Sequence, residues 1–239
     1  MRLYYDLHIH TCLSPCGDDD MTPNNIVNMA LIKGLDVIAI TDHNHAGNVE
    51  SCMAAAKDTE LLVIGGIEVE TSEEIHMVVL FEDINSLRKL EAIIYDSLPK
   101  IDNKPDIFGQ QYYVNSDDEI IGYENRFLIT ASSVDVYTLY KLVNELGGVI
   151  FPAHIDKSSY SIISNLGTIP EELKFGAVEV KKEMAGMSLS EKYEVLYNSD
   201  AHYLWDISEK ENFIDVEHKC ISEFLLKLKR KNNIICAKG

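Results

Sequence analysis

Six of the eight histidines in this 239-residue chain stand at the ends of short apolar runs that read as strands, and two carboxylates share such positions. His8 and His10 are one residue apart. On an extended strand both imidazoles point to the same side, an efficient way to offer two nitrogens to one metal ion. His43 follows a strand ending at Ile40, with Asp42 beside it as a hydrogen-bond partner or turn former. Glu68 ends LLVIGGIE, whose two glycines allow close backbone approach. His76 begins the next apolar run, His154 follows VIFPA, and Asp200 and His202 repeat the one-residue spacing. Taken singly, a histidine after a strand is most often a satisfied core or surface residue, and a lone glutamate a loop carboxylate. Taken together, imidazoles and carboxylates gathered on one face need partners, and divalent cations supply them. The chemistry such a set could do is metal-assisted hydrolysis.

The elements that must position these groups alternate between strands and helices. Leu3 to His8 reads as a strand, and Thr22-Pro23 opens a helix that Gly34 closes. Asp36 to Ile40 is continuous and β-branched, as expected of a strand buried on both faces. Asn48 to Lys57 is helical, Leu61 to Glu70 and Ile75 to Glu82 are strands, and Asn85 to Leu98 is a helix stopped by Pro99. Residues 99–127 are polar and rich in Asp and Tyr, and read as an insertion over one barrel mouth. Ser133 is expected to cap a helix through Leu146, and Val149 to Ala153 leads as a strand into His154. Short strands follow at Ala177 to Val180, Glu194 to Tyr197 and Phe213 to Val216, then an amphipathic helix over Lys219 to Lys231. Repeated βα units without a glycine-rich fingerprint after the first strand predict an α/β barrel, whose strand ends converge on one face. The length suits a single domain over 1–239.

Lys and Arg number 21 against 39 Asp and Glu, a formal charge of -18. That field repels polyanions at long range, so no long nucleic acid is expected as a partner. A small phosphorylated substrate stays open, because bound cations can reverse the sign inside a pocket. The N-terminal MRLYYDLHIH has no apolar leader and no stretch reaches a membrane span, so a cytoplasmic location without membrane contact is expected. Five cysteines, an odd number without a disulfide framework, fit reduced thiols.

Residues DLHIHT at 6–11, ITDHN at 40–44, GIE at 66–68, PAH at 152–154 and SDAH at 199–202 resemble, in order, the motifs of the PHP (polymerase and histidinol phosphatase) family. The resemblance implies a distorted seven-stranded β/α (TIM-like) barrel with two to three Zn, Mn or Fe ions on the C-terminal face. It implies one ion on His8, His10, Glu68 and Asp200, and a second on His43, His202 and one residue of the loop after the first strand. A third would take His76 and His154, with Glu68 bridging. The loop, LSPCGDDDMTP, departs from the family pattern. Alignment on Met21-Thr22-Pro23 puts Asp18 at the ligand position, whereas counting forward from His10 puts Cys16 there. Asp18 is preferred, because a carboxylate suits hard and intermediate ions while a thiolate biases a site toward zinc. His45 reads as a residue behind the ligands or in contact with substrate, and His218 and Lys157 as solvated.

The leading expectation is a phosphoesterase that attacks a small phosphorylated metabolite or nucleotide with metal-bound hydroxide. The phosphate part rests on the resemblance, since the same metal geometry could attack an amide or lactone. An amidohydrolase, a catalytically silent metal-binding regulatory module, and a nuclease acting on short oligonucleotides are the competing readings.

Overall fold

The computed structural model describes residues 1–181 and 189–229. Cys236 and the end of the expected C-terminal helix lie outside the described residues. In chain order the elements are β1 (Arg2–Ile9), α1 (Pro23–Ile32), β2 (Val37–Ile40), α2 (Val49–Ala55), β3 (Leu62–Glu70), β4 (His76–Phe81) and α3 (Ile84–Ser97). The expected insertion contains α4 (Pro105–Phe108), β5 (Tyr112–Val114) and β6 (Ile120–Tyr123). Then come α5 (Val136–Glu145), β7 (Val149–Pro152), α6 (Ile162–Leu166), β8 (Ala177–Glu179), β9 (Glu194–Leu196), β10 (Phe213–Asp215) and α7 (Ile221–Leu228).

Six strands form one curled sheet in the order β10-β1-β2-β3-β4-β7, and β8 and β9 pair separately in parallel. A few backbone hydrogen bonds carry the curl onward: the Ile155 N–H donates to Glu179 at 2.9 Å, the His10 N–H donates to Ala201 at 3.0 Å, and the Ala201 N–H donates to His8 at 3.2 Å. The fold is therefore α/β with a curled half-barrel sheet, in which six strands are hydrogen-bonded among the described residues. It also departs from repeated βα units at β4, which runs antiparallel to both β3 and β7. The link from Glu70 to His76 is a tight turn, too short for the helical crossover that a parallel neighbour requires. The reversal brings the first residue of β4 to the rim where the parallel strands end, which explains how His76 joins a site otherwise built from strand ends.

Two apolar layers hold the sheet. Outside, Ile26, Ile38, Leu87, Leu139 and Val143 pack helices against strands; inside the curl, Leu3, Ile64, Val78, Phe151 and Leu196 pack with Phe224 and Leu228 of α7. Along β1, Leu3, Tyr5 and Leu7 belong to the inner layer, but Ile9 belongs to the outer one. The pairing of β1 with β2 shifts register between Asp6 and Ile9. Such an irregularity re-aims side chains, so His8 and His10 turn inward past it. Two expected caps differ in detail: Thr22 stands at the N-cap of α1 without a side-chain capping bond, and Asp135, not Ser133, caps α5 by accepting from Tyr137 and Thr138. The 99–127 segment is not a bare loop but a helical turn and a hairpin. Asn48 pins it to the body by donating to Tyr112 and accepting from Val114 at 3.0 Å each.

Candidate metal centre

Glu68 is the hub. The backbone after β2 runs beside the end of β3, where the Asn44 N–H donates to the Glu68 carbonyl at 2.9 Å and the Glu68 N–H to that of Asp42 at 3.1 Å. This pairing sets His43 against Glu68. In the β3–β4 register Glu68 faces Val78 and Glu70 faces His76, so His76 is the diagonal neighbour of Glu68 on one face. Around the Glu68 carboxylate lie His76 Nδ1 at 2.8 Å, His43 Nδ1 at 3.0 Å, His8 Nε2 at 3.2 Å, His10 Nε2 at 3.3 Å and His154 Nε2 at 3.4 Å. Asp200 Oδ1 lies 3.4 Å from His8 Nε2 and 3.3 Å from His10 Nε2, and the His202 ring stacks on His10 at 4.1 Å. His154 and Asp200 both hold left-handed backbone, φ 29° and 55°. Non-glycine residues adopt this conformation at a cost, and it is most often found at functional positions.

Behind this layer stand residues that fix the imidazoles. Glu179, fully buried on β8, accepts from His8 Nδ1 at 2.9 Å, from Asn198 Nδ2 at 2.8 Å and from the His154 N–H at 3.1 Å. The expected role of Asp42 is borne out. It accepts from the Thr11 N–H and the Ser14 hydroxyl at 2.7 Å and from the Thr11 hydroxyl at 2.8 Å. Ser14 thereby spends its proton on Asp42, so at 3.0 Å it accepts from His10 Nδ1 and leaves the Nε2 lone pair facing the carboxylates.

The donor set fits divalent cations. His8 Nε2, His10 Nε2, His43 Nδ1, His76 Nε2, His154 Nδ1 and Glu68 Oε2 are buried without a hydrogen-bond partner. Such atoms are costly unless a charge lies among them. Protons alone do not resolve the set. Burial depresses His8, yet Glu179, Glu68 and Asp200 outweigh it and hold the imidazole well above its usual range. Burial also depresses His43, and there repulsion from His10, His76 and His202 adds to it against Glu68, holding it well below. His202 is lowered to about 4 by burial and by His10. Glu68 would be raised by burial, but His76, His8 and His43 hold it well below the carboxylate range. Within this pocket three groups bring their donor atoms within 4.8 Å of one another: His8, His10, Glu68 and Asp200; His10, His43 and His202; and His43, Glu68 and His76.

Eight of the nine expected ligands thus share one pocket. His154 lies against Glu68 but outside those three groups, and Asp18 is not brought in. The Asp18 N–H donates to the His202 carbonyl at 2.9 Å, while its carboxylate accepts from the Asp20 N–H at 3.0 Å in its own turn. Cys16 sits at the rim, and crowding by protein and the charges of Glu68, Asp200 and Asp42 push its thiol upward. His45 is not among the donors; its Nδ1 lies 2.9 Å from Glu91, and Tyr113 of the insertion meets its other nitrogen at 3.2 Å. Sequence reasoning missed Glu179 and Lys181, which lies 3.6 Å from Asp200, and it read as solvated Lys157, whose ammonium lies 2.7 Å from the same carboxylate. The signal for Glu179 was available: a carboxylate inside the apolar run AVEV must be paired if the strand is buried.

The PHP domain profile matches residues 6–172, more than half of the chain. An uncharacterized protein of Methanocaldococcus jannaschii is 27% identical over 149 residues, covering 62% of this chain and 16% of that one. The 5'-3' exoribonuclease of Haemophilus influenzae is 34% identical over 81 residues, covering 33% of this chain and 28% of the enzyme. The chain thus spans well under a third of these two curated relatives. Among solved structures, the lesion-specific endonuclease Q of Pyrococcus furiosus superposes with TM-score 0.73 at 18% identity, covering 96% of this chain and 56% of that one. A protein of Bifidobacterium adolescentis, provisionally assigned as a metal-dependent phosphoesterase, gives 0.64 at 17% identity over 94% of this chain and 96% of its own. These findings overturn the expectation of a small phosphorylated substrate with long nucleic acid excluded: an endonuclease Q with this fold is bound to a 27-mer duplex, and the Haemophilus relative acts on RNA. The net charge of -18 describes the far field, whereas cations in a pocket set the near one. No described helix is long and apolar enough to cross a membrane. With the matched region running from the first histidine motif past His154, the chain belongs to the PHP domain family.

Proposed function

We propose that this chain is a metal-dependent phosphoesterase that hydrolyses a phosphodiester bond of a nucleic acid. The observation that carries the reading is the convergence of five imidazoles on the Glu68 carboxylate, with buried nitrogens and an oxygen that no protein group partners. Two to three Zn, Mn or Fe ions would be held by His8, His10, Glu68 and Asp200, by His43 and His202, and by His76 and His154. Such ions supply an acidified water and polarise a phosphoryl oxygen. Asp18 or Cys16 completes the second set from the loop after β1. Glu179 and Ser14 hold His8 and His10 so that their Nε2 atoms face the pocket. Lys157, 42% exposed at the pocket mouth, leaves Asp200 to pair with a phosphate oxygen once that carboxylate is committed elsewhere. The described residues act as one catalytic unit, with 99–127 as an insertion that roofs the loop after β1.

The relatives support the nucleic-acid assignment, since an exoribonuclease and an endonuclease share sequence or fold with the chain. A second reading, amide or lactone hydrolysis, draws on the likeness to an amidohydrolase of Chromobacterium violaceum at TM-score 0.58 and 16% identity. Incubation with single- and double-stranded oligonucleotides separates the two. Strand cleavage abolished by chelator and restored by Mn or Zn is expected. Turnover of amides or lactones, with no phosphodiester cleaved under any metal, would reverse the assignment.

A further inference from the structure

Directly after His202 the chain makes a short turn that is held firmly yet points its largest side chains outward. It hangs from β1 through the His10 N–H to Ala201 bond at 3.0 Å and the Ser208 N–H to Asp6 bond at 2.9 Å. The ammonium of Lys33, the C-cap residue of α1, donates to the Trp205 carbonyl at 2.9 Å and also to that of Ile207, whose side chain is buried. Within the turn the Asp206 N–H closes on the Tyr203 carbonyl at 3.0 Å. On this fixed support Trp205 is 68% exposed and Tyr203 39% exposed. Their rings stack with centroids 4.8 Å apart and planes 15° apart, a ready-made aromatic ladder beside the pocket. Packing does not account for it, since the turn buries Ile207 and leaves the two aromatics to solvent.

We propose that Tyr203 and Trp205 form a stacking platform for a base of a single-stranded nucleic acid segment whose phosphate occupies the metal centre. The inference rests on the nucleic-acid reading above and says how that substrate is gripped. Consecutive Cα atoms are about 3.8 Å apart, so Trp205 lies within roughly 11 Å of His202 along the chain. A base adjoining a phosphate in the pocket is within that reach. Charge points to the same occupant. The loop of Asp18, Asp19 and Asp20 adjoins His202, so this side of the rim, unlike that of Lys157, is a poor surface for a phosphate backbone. The face of a nucleobase is uncharged, and stacking on an aromatic ring needs no cation. Affinity built this way comes from π-stacking and from phosphate at the metal ions, and is sequence-tolerant because every base has a π-face.

Trp205 is the sole tryptophan of the sequence, so its fluorescence reports the platform directly. The test is titration of the Zn-loaded protein with an end-labelled, phosphorothioate-linked oligothymidylate at several salt concentrations, following Trp205 emission in wild type and Y203A, and the anisotropy of the label in wild type, Y203A, W205A and W205F, the last two of which carry no tryptophan. Saturable quenching is expected, with affinity lowered about tenfold in W205A, partly kept in W205F, and a salt dependence shallower than that of a basic nucleic-acid groove. Absent quenching, with W205A and Y203A binding and cleaving oligonucleotides as wild type does, overturns the platform and leaves the phosphodiesterase standing. Failure of the wild type to bind or cleave any oligonucleotide overturns the reading beneath it as well. A blue-shifted, concentration-dependent emission without oligonucleotide assigns the aromatics to contact between copies of the chain, and also overturns the proposal.

Discussion

Replacing Glu179 by glutamine changes one atom in a buried group that touches no proposed ion, so its effect separates orientation from coordination. One carboxylate oxygen accepts from His8 Nδ1 and Asn198 Nδ2, at 2.9 and 2.8 Å, and the other from the His154 N–H at 3.1 Å. A glutamine keeps one oxygen, and the two-bond position is the better place for it. Its amide then meets the His154 N–H donor to donor, leaving both buried donors unsatisfied at about 1–3 kcal/mol of folding stability each. The negative charge that holds the His8 tautomer and raises its basicity is lost too. Removing such a partner typically weakens metal binding about 10–100-fold, or roughly 1.4–2.7 kcal/mol. Competition against a chelator of known affinity measures the second effect, and chemical denaturation of the metal-free protein measures the first. Unchanged zinc affinity in E179Q, with the metal-free protein destabilised, would refute the claim that Glu179 acts through His8 on the metal centre.

Two further perturbations probe the scaffold. A β-carbon at Gly66 would lie 2.5 Å from the Val79 carbonyl oxygen, whereas one at Gly65 meets only side-chain atoms, the nearest at 2.9 Å. G66A is therefore expected to lower stability by about 1–3 kcal/mol and G65A by less, measured by urea denaturation; equal costs would contradict the close approach at Gly66. Glu91 would be raised by burial, but His45 and Arg88 lower it to about 2. Because the folded-state value is depressed, its stabilisation is complete above the unfolded value near 4.5 and fades as pH falls toward 2. The wild type should exceed E91Q by at most about 3 kcal/mol at neutral pH and lose that margin between pH 4.5 and 2. A gap independent of pH over that window would contradict the assignment.

Much of the pocket is legible in the sequence because its residues sit where strand periodicity puts them: His8 and His10 on one side of β1, His43 just past β2, and Glu68 near the end of β3. The direction of β4 was legible in principle, since His76 begins a strand and only a short turn precedes it. Glu179 was passed over because a single carboxylate in a three-residue strand carries no periodicity of its own. Lys181 is fixed near Asp200 by contacts between segments distant in sequence, which spacing cannot reveal. Asp18 matches the family's loop pattern, but its carboxylate also closes its own turn on the Asp20 N–H, a contact between near neighbours that motif spacing does not reveal. Excluding long nucleic acid on the ground of net charge failed for a different reason. Composition sums charge over the whole surface and is blind to where ions and aromatic rings are concentrated.

The central claim is that distant imidazoles and carboxylates meet around shared cations. Elemental analysis of the chain purified without added metal, then reloaded with Zn, Mn or Fe and desalted, tests it most directly. The account predicts two to three ions retained per chain, dropping by at least one when Glu68 is replaced by glutamine. Retention of none by the wild type, or the same number in E68Q, would contradict it.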